Sequence, residues 1–317
     1  MPDLKIKFRR IFLPHLLIFT GFIIGYTLLH WLVIARFEAF EPTERISAIA
    51  IPAILCWLPV LLIWRLPGIH LLKPEAQEGY PLIPYYMVIL ACLLIPTIFA
   101  QYYIGAAAGK LKVSNHINRV TDKPLAKYYK LSNVYIDRQH SSFQCNTFIT
   151  TNERTKQRAS NLNINVYFVC PIYDGSTKAE YDTVLNSLNR PVCWFGQEYE
   201  EVVSAGKEDG YNNRQIQDFI NDATRRFKGK EQPVFNYMER MYNNGSYQAY
   251  LAAVNKQLAA PLNDAIIFEG REVPYQQRFN LSLLMAIVSY VITNIIWLVL
   301  ISNTSLKENE NADSKQY

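Results

Sequence analysis

Residues able to do chemistry are thinly spread along this chain. The five histidines, His15, His30, His70, His116 and His140, fall at no metal-ligand spacing. A serine nucleophile needs a base beside it and donors for the oxyanion, and no Gly-x-Ser-x-Gly turn occurs. Walker-type and dinucleotide glycine patterns are absent, as are His-Glu-x-x-His and Asp-x-Asp-x-Asp-Gly. Glu198, Glu200, Glu201, Asp209, Asp218 and Asp222 offer carboxylates for acid–base work. Asp218 and Asp222 share a helix face at a spacing of four, with Arg225 and Arg226 following. That pattern reads as a solvated, ion-paired face rather than a catalytic dyad. His116 and His140 read as separate polar residues. No catalytic, cofactor-binding or metal-binding residue is assigned, and no cofactor is expected.

Cys56 and Cys92 lie in apolar stretches, and Cys145, Cys170 and Cys193 in a polar block. One disulfide among the last three is one reading. Three small buried hydrophobes is the preferred one. Asn244-Gly245-Ser246 fits a glycosylation sequon, a pattern too short to carry weight alone. Tyrosines crowd the polar block, among them Tyr128, Tyr129, Tyr135, Tyr167, Tyr173, Tyr181, Tyr199, Tyr211, Tyr237, Tyr242, Tyr247 and Tyr250. Tyrosine suits both recognition surfaces and sheet cores, so a binding surface is one expectation.

Such residues must be positioned by the elements around them, and here the solvent changes along the chain. Half of the 317 residues are hydrophobic, and they concentrate in four stretches, 11–35, 46–64, 85–108 and 281–301. Each approaches the ~20 apolar residues that a helix needs to cross a bilayer. The expected architecture is therefore four transmembrane α-helices, three plus one, with an inserted α+β domain containing an antiparallel sheet. The units are a three-span region 1–108, the domain 109–278, a fourth span 279–302 and a disordered tail 303–317. Lys5, Lys7, Arg9 and Arg10 precede the first span, which lacks a small-residue cleavage site and reads as retained. The same basic cluster favours an inside amino terminus. Residues 109–278 then lie outside and the carboxy terminus inside. Six basic residues between Lys110 and Lys130 pull against this, but long domains translocate largely regardless of charge. Net charge is a modest +5 without a basic stripe, which argues against nucleic acid as a partner.

His15, His30, Gln101 and Asn294 are polar residues inside spans and read as helix–helix hydrogen-bonding groups. No Asp, Glu, Lys or Arg lies within the four stretches, which weakens a transporter or channel reading. In the polar block, 128–137, 142–151 and 162–172 read as an antiparallel meander, with Pro171 ending its strand. Asn161, Asn163 and Asn165 alternate with Leu162, Ile164 and Val166, which marks one wet face. Strands are also expected over 192–203, 233–241 and 265–272, and helices over 179–188, 214–228 and 247–258. Asn212 or Asn213 caps the second of these helices, whose apolar face is Ile216, Phe219, Ile220, Ala223 and Phe227.

Several short segments carry a resemblance. Among them are Leu4-Lys5-Ile6-Lys7-Phe8-Arg9-Arg10-Ile11-Phe12-Leu13-Pro14, Thr27-Leu28-Leu29-His30-Trp31-Leu32 and Pro96-Thr97-Ile98-Phe99-Ala100-Gln101-Tyr102-Tyr103-Ile104. Lys127-Tyr128-Tyr129-Lys130-Leu131, Val166-Tyr167-Phe168-Val169-Cys170-Pro171-Ile172 and Ile266-Ile267-Phe268-Glu269-Gly270-Arg271 complete the set. Together they resemble the N-terminal region of long bacterial rhomboid family intramembrane serine proteases. In that family a catalytic core follows, with a Gly-x-Ser-Gly serine and a histidine in separate spans. Neither Ser282 nor Ser289 has the flanking glycines, so no catalytic residue carries over.

The resemblance implies a multi-pass protein of a bacterial inner membrane. The expected function is non-catalytic: the outer domain binds a membrane or envelope protein, as partner or substrate, close to the lipid bilayer. The alternative is an intramembrane serine protease with a non-standard or missing active site.

Overall fold

The structure, a computed structural model, describes residues 2–36, 46–73, 83–122, 125–151, 160–175, 191, 193–205, 209–230, 235–242, 245–258 and 260–306. Two compact units emerge: residues 1–108 together with 277–317, and Gly109–Gln276.

The first unit holds helices α1 (Leu4–Val33), α2 (Ala48–Arg65) and α3 (Ile83–Ala107), each long and apolar enough to cross a membrane. A fourth such helix runs Tyr275–Asn303, and its α-helical part is Asn280–Asn303. Proline shapes the first two. Phe8–Phe12 and Ile46–Ala50 are π-helical turns, and each lies just ahead of a proline, Pro14 or Pro52. Proline supplies no N–H to the carbonyl four residues back, and in the first case the Leu13 N–H bonds instead to the Phe8 carbonyl.

Polar side chains link the bundle at several levels. Gln101 donates to Thr27 at 3.3 Å, which turns its carbonyl oxygen toward His30 Nδ1. The Thr20 hydroxyl donates to the Leu16 carbonyl and accepts from Tyr290 at 2.7 Å. His15 and Asn294 behave otherwise. His15 lies against Phe19 and Trp297, and Asn294 donates to Tyr290 of its own helix. At the opposite end from His30, Lys7 donates to the Ser302 carbonyl at 2.9 Å. There, strand β1 (Leu72–Lys73) also pairs antiparallel with β10 (Ser305–Leu306). Residues 305–306 of the expected disordered tail are thus in a ladder; residues 307–317 lie outside those described.

The second unit is built on an eight-stranded sheet. Its strands are β2 (Leu111–Ser114), β3 (Tyr128–Leu131), β4 (Val134–Ile136), β5 (Ser142–Thr151) and β6 (Ser160–Asp174). They continue with β7 (Cys193–Ser204), β8 (Tyr237–Met241) and β9 (Ile266–Arg271). The order is β2-β3-β8-β9-β7-β6-β4, with β5 following β4 along the same side of β6. The sheet is mixed rather than antiparallel: β2–β3 and β7–β9 are parallel pairs. The β7–β9 pair is parallel because the intervening chain carries two helices, Asp209–Gly229 and Gly245–Asn255, which give it the length for a crossover. We call these α4 and α5, and Asn280–Asn303 α6.

Each face of the sheet takes one helix. Ile216, Phe219, Ile220, Ala223 and Phe227 of α4 pack on Phe168, Cys170, Phe195, Met238 and Phe268. Tyr247, Tyr250 and Val254 of α5 pack on Tyr167, Val169, Trp194 and Ile267. Helix α4 starts at Asp209, so Asn212 and Asn213 lie inside the helix rather than capping it.

Two strand boundaries differ from expectation for identifiable reasons. The stretch 128–137 splits at Ser132-Asn133, and its halves join opposite ends of the sheet. Pro171 does not end β6. It lies opposite the interruption 137–141 between β4 and β5, where no ladder donor is required, and its carbonyl accepts from the Asp137 N–H at 3.1 Å. Past the end of β6, Gly175 has φ 113°, a backbone that favours glycine. The expected helix 179–188 and the sequon residue Asn244 lie outside the described residues.

Candidate functional site

The tyrosines do not form the expected surface. Tyr128, Tyr129, Tyr167, Tyr173, Tyr237, Tyr247 and Tyr250 are buried, whereas Tyr211 is exposed; Tyr181 lies outside the described residues. Tyr128, Tyr237 and Tyr275 meet edge to face at 5.4–5.7 Å, and Tyr275 donates to the Gly109 carbonyl. The rings thus clasp the two ends of the domain together. Nor do the histidines meet: His140 Nδ1 lies 2.6 Å from Asp137, and His116 lies near Asp174. Asp222 pairs with Arg225 and Arg226. All five cysteines are free thiols; Cys170 and Cys193 are buried, and burial pushes the Cys193 thiol up to about 12. Ser289 donates to the Ala286 carbonyl of its own helix. Among the described residues no serine hydroxyl bonds a histidine ring, Ser114 meeting only the His116 backbone, and no group of three or more His, Cys, Asp or Glu side chains could hold a metal.

Two polar clusters had no signature in the sequence. On the α5 face, Tyr250 donates to Glu269 at 2.7 Å, and Arg271 binds both Glu269 and Glu239. Burial raises the Glu269 carboxyl above its ordinary value, with Arg271 and the Tyr250 hydrogen bond opposing. Gly196 makes room for this arrangement, since a Cβ there would stand 3.1–3.2 Å from the Tyr250 ring and Ile267. On the α4 face, the interruption 137–141 sends Arg138 into the core between Phe195 and Phe227. Its guanidinium donates to the Phe227 carbonyl at 3.1 Å and to Gln197 at 3.3 Å. A cation at the carbonyl end of a helix is favoured by the helix dipole. Both clusters hold helices onto the sheet, and neither presents a nucleophile.

Strand β5 is different. It pairs with β6 along its whole length, from Ser142↔Val169 to Thr151↔Ser160, and with no other described strand. Alternate residues of such a strand direct their N–H and C=O groups away from the sheet. Sheet edges are ordinarily blunted by charge, proline, bulges or shortness. Strand β5 reads Ser-Phe-Gln-Cys-Asn-Thr-Phe-Ile-Thr-Thr, without a charge, a proline or a glycine. Its start is covered: Lys256 and Gln257, beyond the end of α5, donate to the carbonyls of Phe143 and His140. Among the described residues, no strand pairs with the outer side of its second half. Asn146 to Thr150 are all exposed, Phe148 at 52% and Ile149 at 57%. Phe148 stands in register with Asn163 and Asn163 with Val202, so two exposed apolar side chains flank an asparagine on one face.

Comparison with protein-family models, with curated proteins and with solved structures finds no match.

The opposite edge makes an internal contrast. Strand β2 is four residues long, and its Lys112 reaches the carbonyls of Arg119 and Asp122. That edge is short and carries a lysine. The composition of 142–151 was readable in the sequence, but its position at the rim depends on a strand order that no local pattern specifies.

Proposed function

We propose that this chain is a membrane-anchored adaptor, and that its α+β domain binds an extended segment of a membrane or envelope protein along the edge of β5. The observation that carries this is the second half of that strand, exposed and, among the described residues, paired on one side only. A partner strand added there gains main-chain hydrogen bonds, and exposed side chains such as Phe148 and Ile149 supply selectivity on the two faces. The four apolar helices hold the domain at a bilayer, in a three-plus-one arrangement in a bacterial inner membrane. Both termini are cytoplasmic and residues 109–278 lie outside. The basic amino terminus supports this orientation. The resemblance to the accessory region of rhomboid proteases agrees with a role in presenting or recruiting a polypeptide.

Lysine scanning of the edge tests the reading. Thr147→Lys and Ile149→Lys place charges on the edge without removing its pairing to β6. They are expected to abolish crosslinks between β5 and a partner in native membranes, while Asp218→Lys on the exposed face of α4 leaves them intact. Crosslinks that survive the edge lysines would dismiss the site.

A further inference from the structure

A second site lies in the helical unit, where a cleft of about 340 Å³ is lined by Arg10, Pro14, Leu66, Pro67, Gly68 and Leu71. Arg10 is the one charged residue among those that line it. The cleft exists because the π-helical turn Phe8–Phe12 and the loop after α2 come close together: Gly68 sits against the Arg10 carbonyl, where any Cβ would collide.

The cation is available. Lys7, on the same turn region, is buried and already donates to the Ser302 carbonyl. Arg10 is exposed, and among the described residues no carboxylate pairs with it. Depth along the helix matters as well. Arg10 lies six residues into α1, about 9 Å along the axis. Leu66–Leu71 follow directly on α2, and Trp64 and Tyr86 meet near the same end at 6.5 Å between ring centroids. Aromatic rings and basic side chains gather where hydrocarbon gives way to headgroups.

We propose that this cleft binds one anionic phospholipid, with its phosphate on Arg10 and its glycerol and upper acyl chain against Pro14, Leu66 and Leu71. The remainder of the chains stays in the bilayer. Basic pockets between helices at the cytoplasmic side are suited to such headgroups. The inference rests on the four helices being membrane spans, so alkaline carbonate extraction of native membranes is carried out first. Release of the chain there would fail the spans themselves rather than the cleft.

The test uses the full chain in mild detergent, with intact-complex mass spectrometry and thermal denaturation as readouts. Phosphatidylglycerol is expected to be retained at one molecule per chain and to raise Tm, and phosphatidylcholine to do neither. Arg10→Gln should weaken retention roughly tenfold or more, as loss of a charge-assisted hydrogen bond implies. Arg9→Gln removes the same charge outside the cleft and should leave retention unchanged, and Arg10→Lys keeps part of it if Arg10→Gln misfolds. Equal losses for Arg9→Gln and Arg10→Gln, or equal responses to the two lipids, would overturn the site. An equal rise in Tm with inorganic phosphate alone would reduce it to a free-anion contact and overturn the lipid assignment.

Discussion

The guanidinium of Arg138 stands 4.7 Å from the ring of Phe227 and donates at 3.1 Å to that residue's carbonyl, in the last turn of α4. One side chain from the interruption before β5 thus fastens the helix that covers the sheet. Replacing it with alanine removes a charged hydrogen bond and a desolvated cation–π contact, a loss of roughly 2–4 kcal/mol. Arg138→Met fills the same slot with apolar volume and is expected to lose less. Urea unfolding of the two variants in micelles checks the order, and equal losses would show that the charge, not the packing, dominates.

Glu269 makes the domain's stability depend on pH in an unusual direction. Its carboxyl is raised in the folded state, so folding favours the protonated form. The stability it contributes is fully present below the ordinary carboxyl range and is lost as pH rises through the raised value. Glu269→Gln removes that loss. The Tm of the variant minus that of the parent should therefore grow more positive as pH is raised from 4 to 7. A flat difference would mean that Arg271 and Tyr250 fully compensate burial.

Burial also governs the thiols. The Cys193 thiol is pushed up to about 12, and Cys170 is pushed up too, in the same core. Iodoacetamide at pH 8 should alkylate both at least roughly a hundredfold more slowly in the folded chain than in urea, because the thiolate is the reacting species. Mass spectrometry of the labelled peptides measures this directly.

Within the helical unit, Gln101 bridges Thr27 and His30 across two helices. Gln101→Leu is expected to lower stability in detergent by roughly 0.6–2 kcal/mol, the range for hydrogen bonds between membrane helices. Thermal unfolding read by helical circular dichroism checks it.

The apolar helices were legible because twenty-residue hydrophobic runs have few alternative readings, and α4 because Ile216, Phe219, Ala223 and Phe227 repeat at the helical period. Strand β5 was legible to the residue, and the wet face of β6 at Asn161, Asn163 and Asn165 lies where its alternation puts it. Hidden features were those decided by long-range pairing. Residues 128–131 and 134–136 are adjacent in sequence yet join opposite ends of the sheet. The tyrosines looked like a surface because composition cannot tell a ring facing solvent from one clasped between strands. Arg138 reads as an ordinary surface cation until the interruption turns it inward. The candidate edge follows the same rule: its uncharged composition is local, but its position at the rim is not.

The account turns on β5, and a photo-crosslinking residue at Thr147 in native membranes is its most direct test. The expected result is one discrete product containing a second polypeptide species, absent from the same experiment when Ile149→Lys is added. The contradicting result is a Thr147 crosslink to this chain's own residues or to lipid alone, with Ile149→Lys making no difference.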